Sequence, residues 1–111
     1  MALTAKNIIP RKRVETTQTT QYTSQNATTV IDKLTVTNTG INNTTISINL
    51  PRSGEMPSDS NLVLDFRTIA PRETYTCPEI VGQILASGGY ISTIAGLPDA
   101  LTISASGTLI P

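Results

Sequence analysis

The sequence predicts an all-β chain: a small β-sandwich, jelly-roll-like, with one short helix and an extended N-terminal arm. Three observations carry this expectation. Apolar residues alternate with Thr, Ser or Asn in several short runs, the period-two pattern of half-buried strands. Clusters of Gly, Pro, Asn and Asp separate the runs. Small hydroxyl and amide side chains stand where charge is usual, since charged residues are 14% of the 111 against about 25% in ordinary soluble domains. Such side chains suit water, yet are cheap to bury once hydrogen-bonded. The length allows one domain with one core.

Residues 1–15 read as the extended arm. Pro10 lacks an amide hydrogen and disfavours helix before it. Lys6, Arg11, Lys12 and Arg13 meet only Glu15 within the first twenty residues, so the arm is locally basic. The rest has four cations (Lys33, Arg52, Arg67, Arg72) against seven anions, giving a body of opposite sign and a formal net charge of zero. An arm of that kind can lie on an acidic neighbour or on its own body. Residues 16–111 read as a single β-sandwich domain.

The run "TTQTTQYTSQNATT" has one large side chain, Tyr22, and fits an edge strand or a tether. In "IDKLTVTNTGINNTTISINLP", Leu34 and Val36 share one face, with Thr35 and Thr37 on the other. After an Asn- and Gly-rich turn, Ile46, Ile48 and Leu50 oppose Thr45, Ser47 and Asn49. Two antiparallel strands are expected, because Thr, Val and Ile are stiff at χ1 and fit a pleated surface. "PRSGEMPSDS" is a loop. "NLVLDFRTIAP" is the next strand, with Leu62, Leu64 and Phe66 on one face and Asp65 and Arg67 on the other. "APRET" is a turn and "TYTC" a short strand. At Pro78 the period changes: Ile80, Val81, Ile84 and Leu85 have helical spacing, with Glu79 in the first turn and Gly88 as a C-terminal stop. "GYISTIAG" returns to extended chain, and "ALTISASGTLI" closes it with Leu101, Ile103 and Ala105 on one face. The expected core is Leu34, Val36, Ile46, Ile48, Leu62, Leu64, Phe66, Ile84, Leu85, Leu101 and Ile103.

Chemistry is thinly represented. Histidine is absent, which removes the commonest general base and metal ligand and any Ser-His-Asp arrangement. Cys77 is alone: it can form no internal disulfide and has no histidine to activate it, so a buried, inert thiol is expected. The carboxylate pairs Asp59 with Asp65 and Glu73 with Glu79 lie in or beside turns, where solvated charge is the ordinary reading. No phosphate-binding glycine loop is present, and "PSDSN" offers one carboxylate where calcium needs several. No catalytic residue, cofactor or metal site is therefore expected. The arm Arg11-Lys12-Arg13 has no nearby aromatics for base stacking. It is either a solvated charge cluster or a protein-docking element, and nucleic acid is not an expected partner. "MALTAKNIIPRKR" lacks the apolar run of a secretory signal, and the most apolar region is interrupted by Gly88-Gly89, Pro98 and Asp99, so neither secretion nor a membrane span is expected.

Residues 28–109, through "VIDKLTVTNTG…TISINL", "NLVLDFRTIAPRETYTCPEIVGQILASGGYISTIAG" and "ALTISASGTLI", resemble small virion proteins of tailed bacteriophages. With the chain length and the basic N-terminus, the resemblance is to the capsid decoration, or staple, proteins of epsilon-fifteen-like phages. It implies a jelly-roll-like body on the outer surface of the capsid, made in the host cytoplasm and present in many copies. The implied partners are the major capsid protein, whose neighbouring subunits it clamps, and a second copy of itself as a dimer. It also implies no catalysis, and Lys6, Arg11, Lys12 and Arg13 are the candidate capsid-docking residues. Two other classes stand beside this reading. One is a carbohydrate-binding β-sandwich module on a virion or cell surface, weakened because Phe66 reads as core and only Tyr22, Tyr75 and Tyr90 remain for stacking. The other is an accessory or inhibitor domain of an enzyme.

Overall fold

The computed structural model describes residues 2–111. Among them the strands are β1 (Thr4–Arg13), β2 (Thr19–Thr23), β3 (Thr28–Asn38), β4 (Thr44–Asn49), β5 (Leu62–Ile69), β6 (Thr74–Tyr75), β7 (Ile84–Leu85), β8 (Tyr90–Ala95) and β9 (Leu101–Ile110). The first sheet runs β1-β9-β3-β6, with β7 also paired to β3, and the second runs β2-β8-β4-β5. Every pairing is antiparallel. β6 pairs with Val36 and Thr37, and β7 with Thr29 and Val30. Both short strands therefore lie along β3 and act as one interrupted strand. Counted so, the chain crosses between sheets at each of its first three connections, stays in the second sheet for β5, and crosses again at each later one. This is the strand order of an eight-stranded jelly roll.

The core lies between the sheets. Leu34, Val36, Leu101 and Ile103 come from the first sheet, and Ile46, Ile48, Leu64 and Ile91 from the second, all buried. Their hydroxyl neighbours point outward, as the alternation requires. Other polar residues are buried and bonded. Asn38 donates to the carbonyls of Asn42 (2.8 Å) and Ile69 (2.9 Å) and accepts from the Gly40 amide (2.9 Å). Thr29 meets both Tyr22 and Ser24 at 2.8 Å and pins the β2–β3 turn. The Asn- and Thr-rich composition is thus partly structural: it closes turns against the core and pairs nearly every buried polar side chain, Thr44 Oγ1 being the exception among the described residues.

Three expectations need correction. Residues 4–13 are extended, but they are no separate arm: β1 is the outer strand of the first sheet, and Ile8, Ile9 and Val14 are at most 3% exposed. Adjacent Ile8 and Ile9 both face the core because β1 carries a register shift between Lys6 and Ile9, and a second one follows before Lys12. Pro10 is tolerated on this edge because no further strand needs its amide. The helix expected after Pro78 does not form. Residues 78–83 make tight turns, and the backbone bonds to β3 through Gly82 N to Ile31 O (2.7 Å) and Ile31 N to Gln83 O (3.0 Å). Ile80 and Leu85 are buried, while Val81 and Ile84 are exposed. A two- or three-turn helix gains too little by itself to compete with such pairing. Among the described residues the one helical element is the 3-10 turn Asp59–Asn61.

The third correction is Phe66, which is 70% exposed; Leu62, also assigned to the core, is only half-buried. Opposite the β4 step from Ile46 to Ile48, β5 spends three residues, Arg67 to Leu64. The extra residue is a bulge. Phe66 sits in it with φ +46°, and its amide donates to Ser47 Oγ at 2.9 Å. The bulge turns the ring outward and lets Leu64 and Ile69 both face the core.

Candidate functional site

Of the four cations of the N-terminal segment, Lys12 and Arg13 border one concavity together with Glu15 and Asp99, and Lys6 does not. Arg13 pairs with Thr102, whose side chain lies on the outer face of the first sheet, and donates to Thr39 Oγ1. Lys6 and Lys12 instead pair with the inward register positions Gly107 and Ile103, though both side chains are exposed. Lys6 Nζ stands 5.9 Å from the centroid of the Tyr22 ring, and Lys12 Nζ meets Glu15 Oε2 at 2.8 Å. The Lys12 contact, foremost, holds the Glu15 carboxyl below its ordinary range. Arg11 makes no side-chain hydrogen bond among the described residues. Three of the four cations are thus engaged within the fold, an exposed pair such as Lys12–Glu15 adding little to stability.

The outer face of the first sheet is a surface rich in hydroxyls. β3 and β9, 11 and 10 residues long, lie side by side at its centre. Their cross-strand pairs Thr37–Thr102, Thr35–Ser104 and Lys33–Ser106 place hydroxyls in two adjacent rows. Thr74 extends one row through a 2.8 Å contact with Thr37, and Thr108 donates to Asp32 Oδ2 at 2.6 Å at the far end. Asp32 and Lys33 give this face both signs of charge. The side chains are short, so holding them in one geometry costs little rotamer entropy.

The sheet edges are poor templates for a further strand. β1 has two register shifts and Pro10, β2 one shift, and β5 two, while β6 and β7 are two residues each. Short, bulged and charged edges resist pairing with another chain. Contact with a partner is therefore favoured through faces rather than edges.

Two concavities accompany these faces. A cleft of about 680 Å³ opens where β5 and β7 part, lined by Leu50, Val63, Ile84, Arg52 and Asn61 among others. A shallower one of about 460 Å³ lies on the outer face of the second sheet, with Phe66, Asp59 and Asp65 among its lining residues. The structure thus brings one of the suspected carboxylate pairs to a common concavity. The other pair is spent on the fold: Glu73 accepts from the Ala70 amide at 2.8 Å and Glu79 from the Tyr75 hydroxyl. That hydroxyl contact, first, holds the Glu79 carboxyl below its ordinary range. Burial, followed by the same contact, pushes the Tyr75 hydroxyl up to about 12.

Cys77 is fully buried, and burial pushes its thiol up to about 12. It is a neutral apolar group at physiological pH, not a nucleophile. Among the described residues no three His, Cys, Asp or Glu side chains converge as metal ligands, and no helix is long and apolar enough to cross a membrane.

Alternation alone did not reveal the exposed Phe66, but the sequence did hold a signal. Leu64 and Ile69 are five positions apart, an odd number, so both can face the core only if one residue between them is extra. No family model matches the sequence, and neither a curated protein nor a solved structure matches it.

Proposed function

We propose that this chain is a non-enzymatic virion structural protein that binds the outside of a phage capsid and clamps neighbouring major capsid subunits. The observation that carries the reading is the hydroxyl-rich outer face of the first sheet, set on its two central strands. A face of small donors and acceptors on paired strands suits a protein surface that is itself polar and ordered. It loses little entropy on docking, and repetition over a shell multiplies a weak contact into avidity. Blunted edges suit a protein that must lie beside its own copies at high local concentration without strand-to-strand aggregation. The resemblance to staple proteins supplies the partner, the major capsid protein. In this reading two copies meet across the junction they clamp, and Arg13 at the margin of the face adds charge complementarity.

The test is co-sedimentation with empty shells. Wild-type protein is expected to pellet with shells and saturate at a fixed ratio to capsid subunits. Replacing Thr35 and Ser104 together by lysine puts two like charges at the centre of the face without touching the core. That variant should stay folded and lose shell binding. Undiminished binding would show that this face is not the contact.

A further inference from the structure

We infer that the outer face of the second sheet carries a binding site for a neutral saccharide, with the Phe66 ring as its stacking platform. The inference is independent of the shell reading, which uses the opposite sheet. Phe66 is the one phenylalanine in the chain, and its ring is 70% exposed. Its backbone is left-handed at φ +46°, a conformation that a bulky residue seldom adopts. A strained backbone that puts an aromatic ring into water is maintained against both local preference and burial, which points to a use for the ring.

The surroundings define the chemistry. Phe66 borders the concavity of about 460 Å³, within the size range of small-ligand sites. Half-buried Leu62 and Ile94 add apolar surface beside it. The floor is polar: Ser47 and Asn49 are each 5% exposed. The Asn49 amide nitrogen donates to Ser58 O (2.9 Å) and Asn61 Oδ1 (2.8 Å), which fixes the side chain and leaves its oxygen free to accept. Gln18 is held in the same way, its nitrogen donating to Ser92 Oγ at 2.8 Å. Asp59 and Asp65 complete the rim. A pyranose ring has one face of C–H bonds, which packs on an aromatic ring, and a girdle of hydroxyls, which donate to carboxylate and amide oxygens. This concavity offers both. Its lining holds two carboxylates and no cation, which disfavours anionic sugars, phosphates and nucleic acid. A protein-docking anchor would instead be expected at the centre of a desolvated patch, not beside a floor of fixed polar groups.

The test uses the intact protein on an array of neutral and anionic oligosaccharides, followed by saturation-transfer NMR on the strongest neutral hit. Binding to at least one neutral glycan is expected, with none to sialylated or sulfated controls. Phe66→Ala and Phe66→Gly should each weaken it by roughly tenfold or more, as expected for loss of a stacking ring. Phe66→Gly serves as the folding control, because glycine accepts the left-handed backbone. Phe66→Tyr should retain binding, and Asp65→Asn should weaken it severalfold. Shell co-sedimentation of Phe66→Gly should equal wild type. If no neutral glycan binds, or if Phe66→Gly binds as well as wild type, the site is not a saccharide site. Loss of shell binding by Phe66→Gly, with no glycan bound, would assign the ring to a protein contact instead and overturn the proposal.

Discussion

Removing residues 2–14 separates a strand from an arm. If the segment were a free docking element, the truncated chain would fold as before. In the structure it is β1, paired with β9 along its length, and it ends with the Val14 amide donating to Leu101 O at 2.9 Å. Three apolar side chains go with it, Ile8, Ile9 and Val14, at 3%, 1% and 2% exposure. Full burial of such a side chain contributes about 1.5–3 kcal/mol, so the loss is about 4.5–9 kcal/mol. Whole domains are stable by about 5–15 kcal/mol. The deletion also uncovers β9, ten residues with alternating apolar side chains, as a long new edge open to self-pairing. The truncated protein should be unfolded or aggregated at 25 °C, whereas wild type unfolds cooperatively in urea followed by far-UV circular dichroism. Ile9→Ala, a gentler change at the same place, should lower stability by about 2–5 kcal/mol. A truncated chain whose urea curve overlays wild type would refute the packing described for β1.

Two residues apart on β5, the bulge inverts the effect of substitution: Leu64→Ala should cost about 2–5 kcal/mol. Phe66→Gly instead relieves about 1–2 kcal/mol of left-handed strain, offset by about 0.5–1 kcal/mol of extra chain entropy. Equilibrium unfolding should therefore show it equal to or slightly more stable than wild type, and a loss above about 2 kcal/mol would mean that the ring packs on the body. Cys77 should resist iodoacetamide at pH 8 in the native protein and react on unfolding, because its thiol keeps its proton up to about 12 when folded. The sign of the linkage follows: above about pH 9 the unfolded thiol ionises while the folded one does not, so stability should fall as pH rises, and Cys77→Ala should flatten that fall; a slope unchanged by Cys77→Ala would contradict its burial as the cause.

Alternation made most of the sandwich legible. β9 and β3 from Leu34 onward alternate inside and outside, β4 turns Ile46 and Ile48 inward, and Leu34, Val36, Ile46, Ile48, Leu101 and Ile103 are all buried as that period requires; before Leu34, β3 itself has a register shift that puts both Asp32 and Lys33 outside. What stayed hidden breaks the period or draws its stability from elsewhere. The bulges in β1 and β5 shift the phase by one residue, so Ile8 beside Ile9 read as no pattern, and Phe66 read as core. β2 buries no large apolar side chain and is held by pairing with β8. The spacing of Ile80, Val81, Ile84 and Leu85 suits a helix, but β3 offers hydrogen-bond partners that local spacing cannot foresee. The basic residues were visible in the sequence. Their places were not: Lys6 stands by the Tyr22 ring, while Lys12 and Arg13 border one concavity with Glu15 and Asp99. The concavity around Phe66 joins Gln18, Asn49, Asp59 and Asp65 from four separate segments, and only the fold brings them together.

Internal pressure from packaged DNA pushes capsid subunits apart, and a clamp that bridges two of them opposes the first step of rupture. The most direct measurement is the temperature at which DNA-filled particles release their genome, followed with a DNA-binding dye, for particles with and without this protein. Particles lacking it should still assemble but release DNA at a lower temperature. Adding back wild-type protein should restore the higher temperature and saturate at a fixed ratio to capsid subunits, whereas protein with lysine at Thr35 and Ser104 should not. Identical release temperatures for bare and decorated particles would contradict the clamp.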